Sequence, residues 1–448
     1  MKNFTHGDES KLIIAFTLPV LLGQFFQQIY VFVDRMVVGR YLGENALAAV
    51  GASMAIVFAV ISLTVGIVMA GTILISQYYG AGDAVNLRKA VDTLNVFLLV
   101  AGIGVTGVGI IFSDALLRWM AVPGSILPMS SLFMRWYFTG IIGLFGYHTV
   151  AAYLRGVGDS KNPLYILVIA SVLNALLVFL FIGVWHQGIA MAAVATVIAQ
   201  TFAFVLAVIY LHRKVPLLRF RLRHLQFDYG MLKKALWIGF PSGLQQMLVA
   251  FGMMTLQYFI NQYGINVIAA YTTAGIIETF CLMPALSFSM ALIPFTGQNL
   301  GAGRIDRVKK GLHVTQKIAL WCTVVPSLVV LLFGKEIMLI FNDSKEVAEI
   351  GRQYFLIVGA FYMVFTLMFN YSSILRGAGY TWVPMFITLF SLWFIRVPLA
   401  YFFSKIWQEK GIFMAIPVSW MLGMVASWIY YKTGKWEKKS IIEKPLMD

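Results

Sequence analysis

Few side chains in this sequence are equipped for chemistry, and the ones that are keep apolar company. Asp34 lies in "QIYVFVDRMVVGR", Gln28 to Arg40. A carboxylate shielded from bulk water can take up and release a proton, or hold a cation. The same residue, with Arg35 beside it, can equally mark the end of a helix. Neighbours in sequence do not face each other on a helix, so Arg35 does not neutralise Asp34. Glu278 and Arg396 are charges in two other apolar runs. Pairing them removes two isolated charges at once, so they are expected to form a structural pair, with ion coupling by Glu278 as the alternative. Gln24, Gln27 and Gln28 place three amides on one apolar stretch, where they are expected to face a substrate cavity or a neighbouring helix. Cys281 and Cys322 form no disulfide framework and have no metal-ligand spacing; both are expected to be small buried residues. No HExxH and no Ser/His constellation occurs in the apolar runs. An enzyme is therefore not expected, nor a cofactor, nor a metal.

Positioning these groups falls to helices in a bilayer. The chain has 448 residues, 60% hydrophobic and only 12% charged. Average soluble domains carry about 25% charged residues. Apolar runs of about 20 residues recur along the whole length, the length a spanning helix needs. Reading them gives an all-α integral membrane protein with twelve transmembrane helices. The spans fall near 11–36, 46–75, 89–112, 129–154, 163–184, 188–211, 233–260, 265–295, 309–333, 350–375, 382–404 and 411–431. An even number puts both termini on one side. Of the 34 basic residues, 23 fall on that side and nine on the other. By the positive-inside rule both termini are cytoplasmic. The net charge of +15 is thus mostly a topology signal with attraction to lipid headgroups, and nucleic acid is not an expected partner.

The chain repeats itself. "SQYYGAGD" from Ser76 is matched by "GQNLGAGR" from Gly297, and "YLRGVGDSKNPLYI" from Tyr153 by "ILRGAGYTWVPMFI" from Ile374. "GENALAAV" from Gly43 is matched by "GINVIAAY" from Gly264. All three pairs share one repeat step, an offset of 221. The expected domains are two six-helix lobes, 1–211 and 233–448, joined by a basic linker over 212–232 whose Phe220, Leu222, Leu225 and Phe227 suit a membrane interface. Duplicated halves are characteristic of secondary transporters, whose site lies between repeats. Pro19 and Pro241 recur in the first span of each half and are candidate hinges.

"VDRMVVGRYLGENALAAVG", the GAG motif after span 2, "LRGVGDSKNP" after span 4, "GIAMAAVATVIAQ" in span 6 and the second-half copies "TGQNLGAG" and "LRGAG" together resemble the multidrug and toxic compound extrusion (MATE) family, bacterial type. The resemblance covers residues 10–432. It implies an antiporter that expels cationic or amphipathic organic compounds in exchange for protons or sodium ions. It matches Asp34 to the family's first-span acid and favours the working carboxylate over the helix end. It also brings in Asn174 of span 5, Thr196 of span 6 and Tyr137 of span 4 as partners in ion coupling. Where the family often has an Asp four residues after the Asn, this chain has Val178. Its nearest positions to the acids that some branches carry in spans 7 and 10 are Val249 and Phe365. Coupling therefore rests on Asp34, with the proton favoured over sodium. A lipid-linked oligosaccharide flippase is the alternative, but it calls for a basic central cavity, and the basic residues here lie almost wholly in loops. The resemblance further implies a monomer in the bacterial inner membrane, with lipids and small organic molecules as its partners.

Overall fold

The computed structural model describes residues 3–219 and 226–438. Phe220, Leu222 and Leu225 of the linker lie outside them. Among the described residues there are helices and no strands. The first half holds α1 (Glu9–Leu42), α2 (Glu44–Ala81), α3 (Ala84–Trp119), α4 (Leu127–Thr139), α5 (Ile141–Gly156), α6 (Lys161–Val178) and α7 (Ala190–Lys214). The second holds α8 (Tyr229–Ile260), α9 (Ile265–Gly301), α10 (Ile305–Phe341), α11 (Lys345–Val358), α12 (Tyr362–Gly377), α13 (Trp382–Leu389), α14 (Val397–Trp407) and α15 (Glu409–Lys432), followed by the short α16 (Lys435–Lys438). A π-helical segment, Phe179–Val184, continues α6, and another, Phe390–Arg396, joins α13 to α14. Among the described residues ten helical stretches, with α11 and α12 counted as one and α13 and α14 as one, are long and apolar enough to cross a membrane. The other two spans are α8 and the pair α4–α5, which is interrupted at Gly140. The chain is a multi-pass membrane protein of twelve spans in two six-helix lobes.

The repeat is written into the backbone. Gly43 and Gly264 take φ of +81° and +89°, Gly82 and Gly303 +72° and +71°, and Gly158 and Gly379 +83° and +89°. The members of each pair are one repeat step apart. Gly43 alone separates α1 from α2, and Gly264 leads into α9 in the same way. A side chain at either would have to adopt the left-handed region that glycine enters without strain.

By contacts the chain divides into two compact units, whose bounds differ from the repeat at both first helices. One unit takes Leu22–Gly243, and the other Phe4–Leu21 with Leu244–Asp448. Each changeover follows two residues after a proline, Pro19 in α1 and Pro241 in α8. The start of α1 is fixed in its unit by specific bonds. Phe4 N–H donates to Gln298 Oε1 (2.9 Å), and Arg307 donates to Gly7 O (2.9 Å) and pairs with Glu9 (2.9 Å). The Phe4 ring is buried against Phe16 and Phe295.

The two cysteines differ. Cys281 is buried, but Cys322 is exposed on α10 next to Trp321, which is also exposed. In a bilayer an apolar side chain need not hide inside the protein, since lipid tails are as apolar as the core.

Candidate functional site

α1 does not stop at Asp34. It runs on to Leu42, so the Asp34–Arg35 pair does not mark a helix end. Asp34 is half-buried and Arg35 exposed. Asp34 Oδ1 is shielded from solvent and has no hydrogen-bond partner. Around it the first lobe assembles a neutral polar cluster from four helices. Tyr30 lies one turn earlier on α1, on the same face, beside Thr196. Tyr30 and Tyr137 of α4 both lie within electrostatic range of Asp34. Asn174 of α6 donates through Nδ2 to Thr196 Oγ1 of α7 (3.1 Å), and Thr196 donates to Ala192 O (3.1 Å). Both side chains are buried. Asn174 Oδ1 and Gln200 Oε1 have no partner. A small crevice lined by Tyr137, Gly140, Thr196 and Gln200 opens here, with room for about one water.

Close helix packing makes this convergence possible. Gly140, Gly143 and Gly146 line the side of α5 that meets α7. A Cβ built on them would come within 2.5 Å of Val197, 2.8 Å of Thr201 and 2.5 Å of Phe204. Small residues let helices approach where side chains would hold them apart. The break at Gly140 also ends α4 just beyond Tyr137. Beneath the polar cluster, Val178 is fully buried with Val37, Val38, Phe133 and Ile182, and Val33 and Tyr137 pack against them. An apolar wall stands where a second acid would be.

The structure thus brings Asp34, Tyr137, Asn174 and Thr196 together. Gln27 and Gln28 are exposed and Gln24 half-buried. Tyr30 and Gln200 escaped the sequence reading. Their signal was spacing: each lies four residues from a residue already singled out, Asp34 and Thr196. The cluster holds three acceptor oxygens without donors, on Asp34, Asn174 and Gln200, which is what a proton or a small cation binds.

The second lobe corrects one expectation. Glu278 of α9 and Arg396 do not form a direct ion pair. Tyr354 Oη of α11 donates to Glu278 Oε2, and Arg396 Nε donates to Ser419 Oγ of α15 (2.8 Å). The Arg396 guanidinium stands over the Trp420 ring, 5.7 Å from its centroid. The two charges are near enough to act on each other, but each is closed locally by a neutral donor, acceptor or ring. Among the described residues, no three His, Cys, Asp or Glu side chains gather as metal ligands.

Comparison with known proteins places this architecture. The MatE family model matches residues 19–180 and again 241–402, once in each lobe. Two Bacillus subtilis relatives are the probable multidrug resistance proteins YpnP, 31% identical over 97% of both chains, and YoeA, 30% identical over 95% of this chain and 94% of that one. Two crystal structures of MATE, in the straight and the bent conformation, share the fold. Each has a TM-score of 0.91 at 22% identity and covers 98% of this chain, against 100% and 98% of theirs. With a matching segment in each half and relatives aligned from end to end, the chain belongs to the MatE family of membrane transporters and is not an enzyme.

Proposed function

We propose that this protein is a proton-coupled antiporter that exports cationic or amphipathic organic compounds by alternating access. In this reading it works as a monomer in the cytoplasmic membrane, with both termini inside. The observation that carries the proposal is the unpaired Asp34 Oδ1 among neutral Tyr30, Tyr137, Asn174 and Thr196. An ionisable group in the bilayer costs about 2.5–3.5 kcal/mol, and no ion pair offsets that cost here. Protonation removes the charge, and deprotonation restores an acid to which a cation binds. Tyr30 and Tyr137 supply hydroxyls for either state, and Asn174 and Thr196 hold each other in place. The multidrug-resistance names of the two Bacillus relatives support the cargo class. Pro19 and Pro241, each two residues from a changeover between compact units, are the hinges of this reading.

Sodium is the second reading, and one observation favours it. Asn174 Oδ1 and Gln200 Oε1 also lack donors, and sodium seeks several oxygens. The buried Val178 weighs against it, since it removes a carboxylate from that wall. Proteoliposomes loaded with a fluorescent organic cation decide between the two when a proton gradient and a sodium gradient are imposed separately. Export driven by protons alone is expected. A response to sodium alone favours the second reading, and a response to neither overturns the antiporter.

A further inference from the structure

The repeat supplies a control for the second lobe's charges. The positions one repeat step before Glu278, Tyr354 and Arg396 hold Val57, Phe133 and Ala175. The first lobe builds the same six-helix fold with apolar groups there, so the architecture itself does not call for a charge. The second lobe nonetheless keeps an acid and a base in its interior without closing an ion pair. The titratable groups within electrostatic range of Glu278 are Tyr271 and Cys281 from α9, Tyr354 from α11, Tyr362 from α12 and Arg396 from the π segment. Tyr362 is fully buried, and its hydroxyl has no hydrogen-bond partner.

We infer that Glu278 is a second proton-binding carboxylate of the transporter, with Arg396 as the counter-charge that acts on it when it is ionised. The inference rests on the antiporter reading above. The step is one proton added to the carboxylate from water on one side and released on the other. Tyr354 donates to Glu278 in the ionised state, and the unpartnered Tyr362 hydroxyl offers an acceptor to the carboxyl proton. Arg396 keeps its own partners, Ser419 and Trp420, throughout, so its charge remains in place while Glu278 changes. The two lobes then carry one titrating acid each, at positions that are not repeat mates.

Infrared difference spectroscopy of the purified full-length protein, titrated with acid, reads the carbonyl band of a protonated carboxylic acid and needs no substrate. The chain's 19 Asp and Glu all titrate, so the readout is the difference between wild type and variant: Glu278→Gln is expected to remove one component and Asp34→Asn a different one. A Glu278→Gln spectrum identical to wild type overturns the inference. A component removed by Glu278→Gln with none removed by Asp34→Asn would count against the role given to Asp34 while supporting that of Glu278. Tyr354→Phe keeps the carboxylate even if Glu278→Gln fails to fold. It is expected to move the pH midpoint of the Glu278 component, and an unmoved midpoint overturns the inference. In proteoliposomes at clamped voltage, accumulation of tetraphenylphosphonium against a pH gradient is expected to lose about tenfold per pH unit in Glu278→Gln, the effect of one proton fewer. An unchanged slope makes Glu278 a bystander.

Discussion

The two lobes share a backbone and differ in every polar group at their centres. The first lobe gathers Tyr30, Asp34, Tyr137, Asn174 and Thr196. The repeat mates of the last three are Val358, Ile395 and Pro417. Asp34 corresponds to Thr255 or Leu256, the register slipping by one residue along the first helix. Thr255 turns its hydroxyl back to Phe251 O on its own helix (3.0 Å), and Leu256 is fully buried. The second lobe gathers Glu278, Tyr354, Arg396, Ser419 and Trp420, whose mates in the first lobe are Val57, Phe133, Ala175, Ile198 and Ala199. Duplication preserved the glycine turns and the helix order and left the chemistry to diverge. The first lobe leaves an acid unpaired among neutral partners. The second closes each of two charges with its own neutral contact. The first centre is therefore expected to be sensitive in transport, and the second in stability as well.

Four substitutions test this contrast. Val178→Asp puts the missing acid into the fully buried apolar wall of the first lobe. It is expected to destabilise the protein by about 2.5–3.5 kcal/mol, read as a lower melting temperature in detergent. If sodium restores the melting temperature, the first lobe is a cation site and the contrast in coupling must be redrawn. Arg396→Met removes the bond to Ser419 and the cation above Trp420, for a loss of about 2 kcal/mol in the same assay. If it is harmless, the second lobe's charges are not locally closed in the way described. Asn174→Ala removes one interhelical bond in the first lobe and is expected to cost about 1 kcal/mol. A loss larger than that of Arg396→Met would invert the comparison. Tyr137→Phe is expected to leave the melting temperature unchanged and to slow transport about two- to fivefold, the effect of losing one polar hydroxyl near Asp34. A stability loss without a transport effect would make Tyr137 a packing residue.

Much of the fold was legible because hydrophobic length and a motif repeat are one-dimensional signals. Both survive into the structure as helices and as paired left-handed glycines. The site was legible only in part. Asp34 was found by type and position, and Asn174, Thr196 and Tyr137 through the family resemblance, while Tyr30 and Gln200 were not found, because a tyrosine or a glutamine in a span has many ordinary uses. What marks these two is a neighbour across a helix interface, and sequence does not show which faces meet. The expected Glu278–Arg396 pair failed for the same reason. Opposite charges in two spans suggest each other, but Tyr354 and Ser419 stood closer. The first span was ended at residue 36 although α1 runs on through Arg40 to Leu42, because a helix projecting beyond the apolar band carries polar residues without breaking.

Asp34, the acid of the first-lobe polar cluster, is the residue through which ion coupling is expected to run. Proton-driven export of a fluorescent organic cation from proteoliposomes, compared between wild type and Asp34→Asn at equal amounts of folded protein, tests it most directly. Asp34→Asn is expected to lose at least tenfold in gradient-driven export, about 1.4 kcal/mol or more, with the melting temperature unchanged or raised. Export by Asp34→Asn at the wild-type rate under the same proton gradient would contradict it.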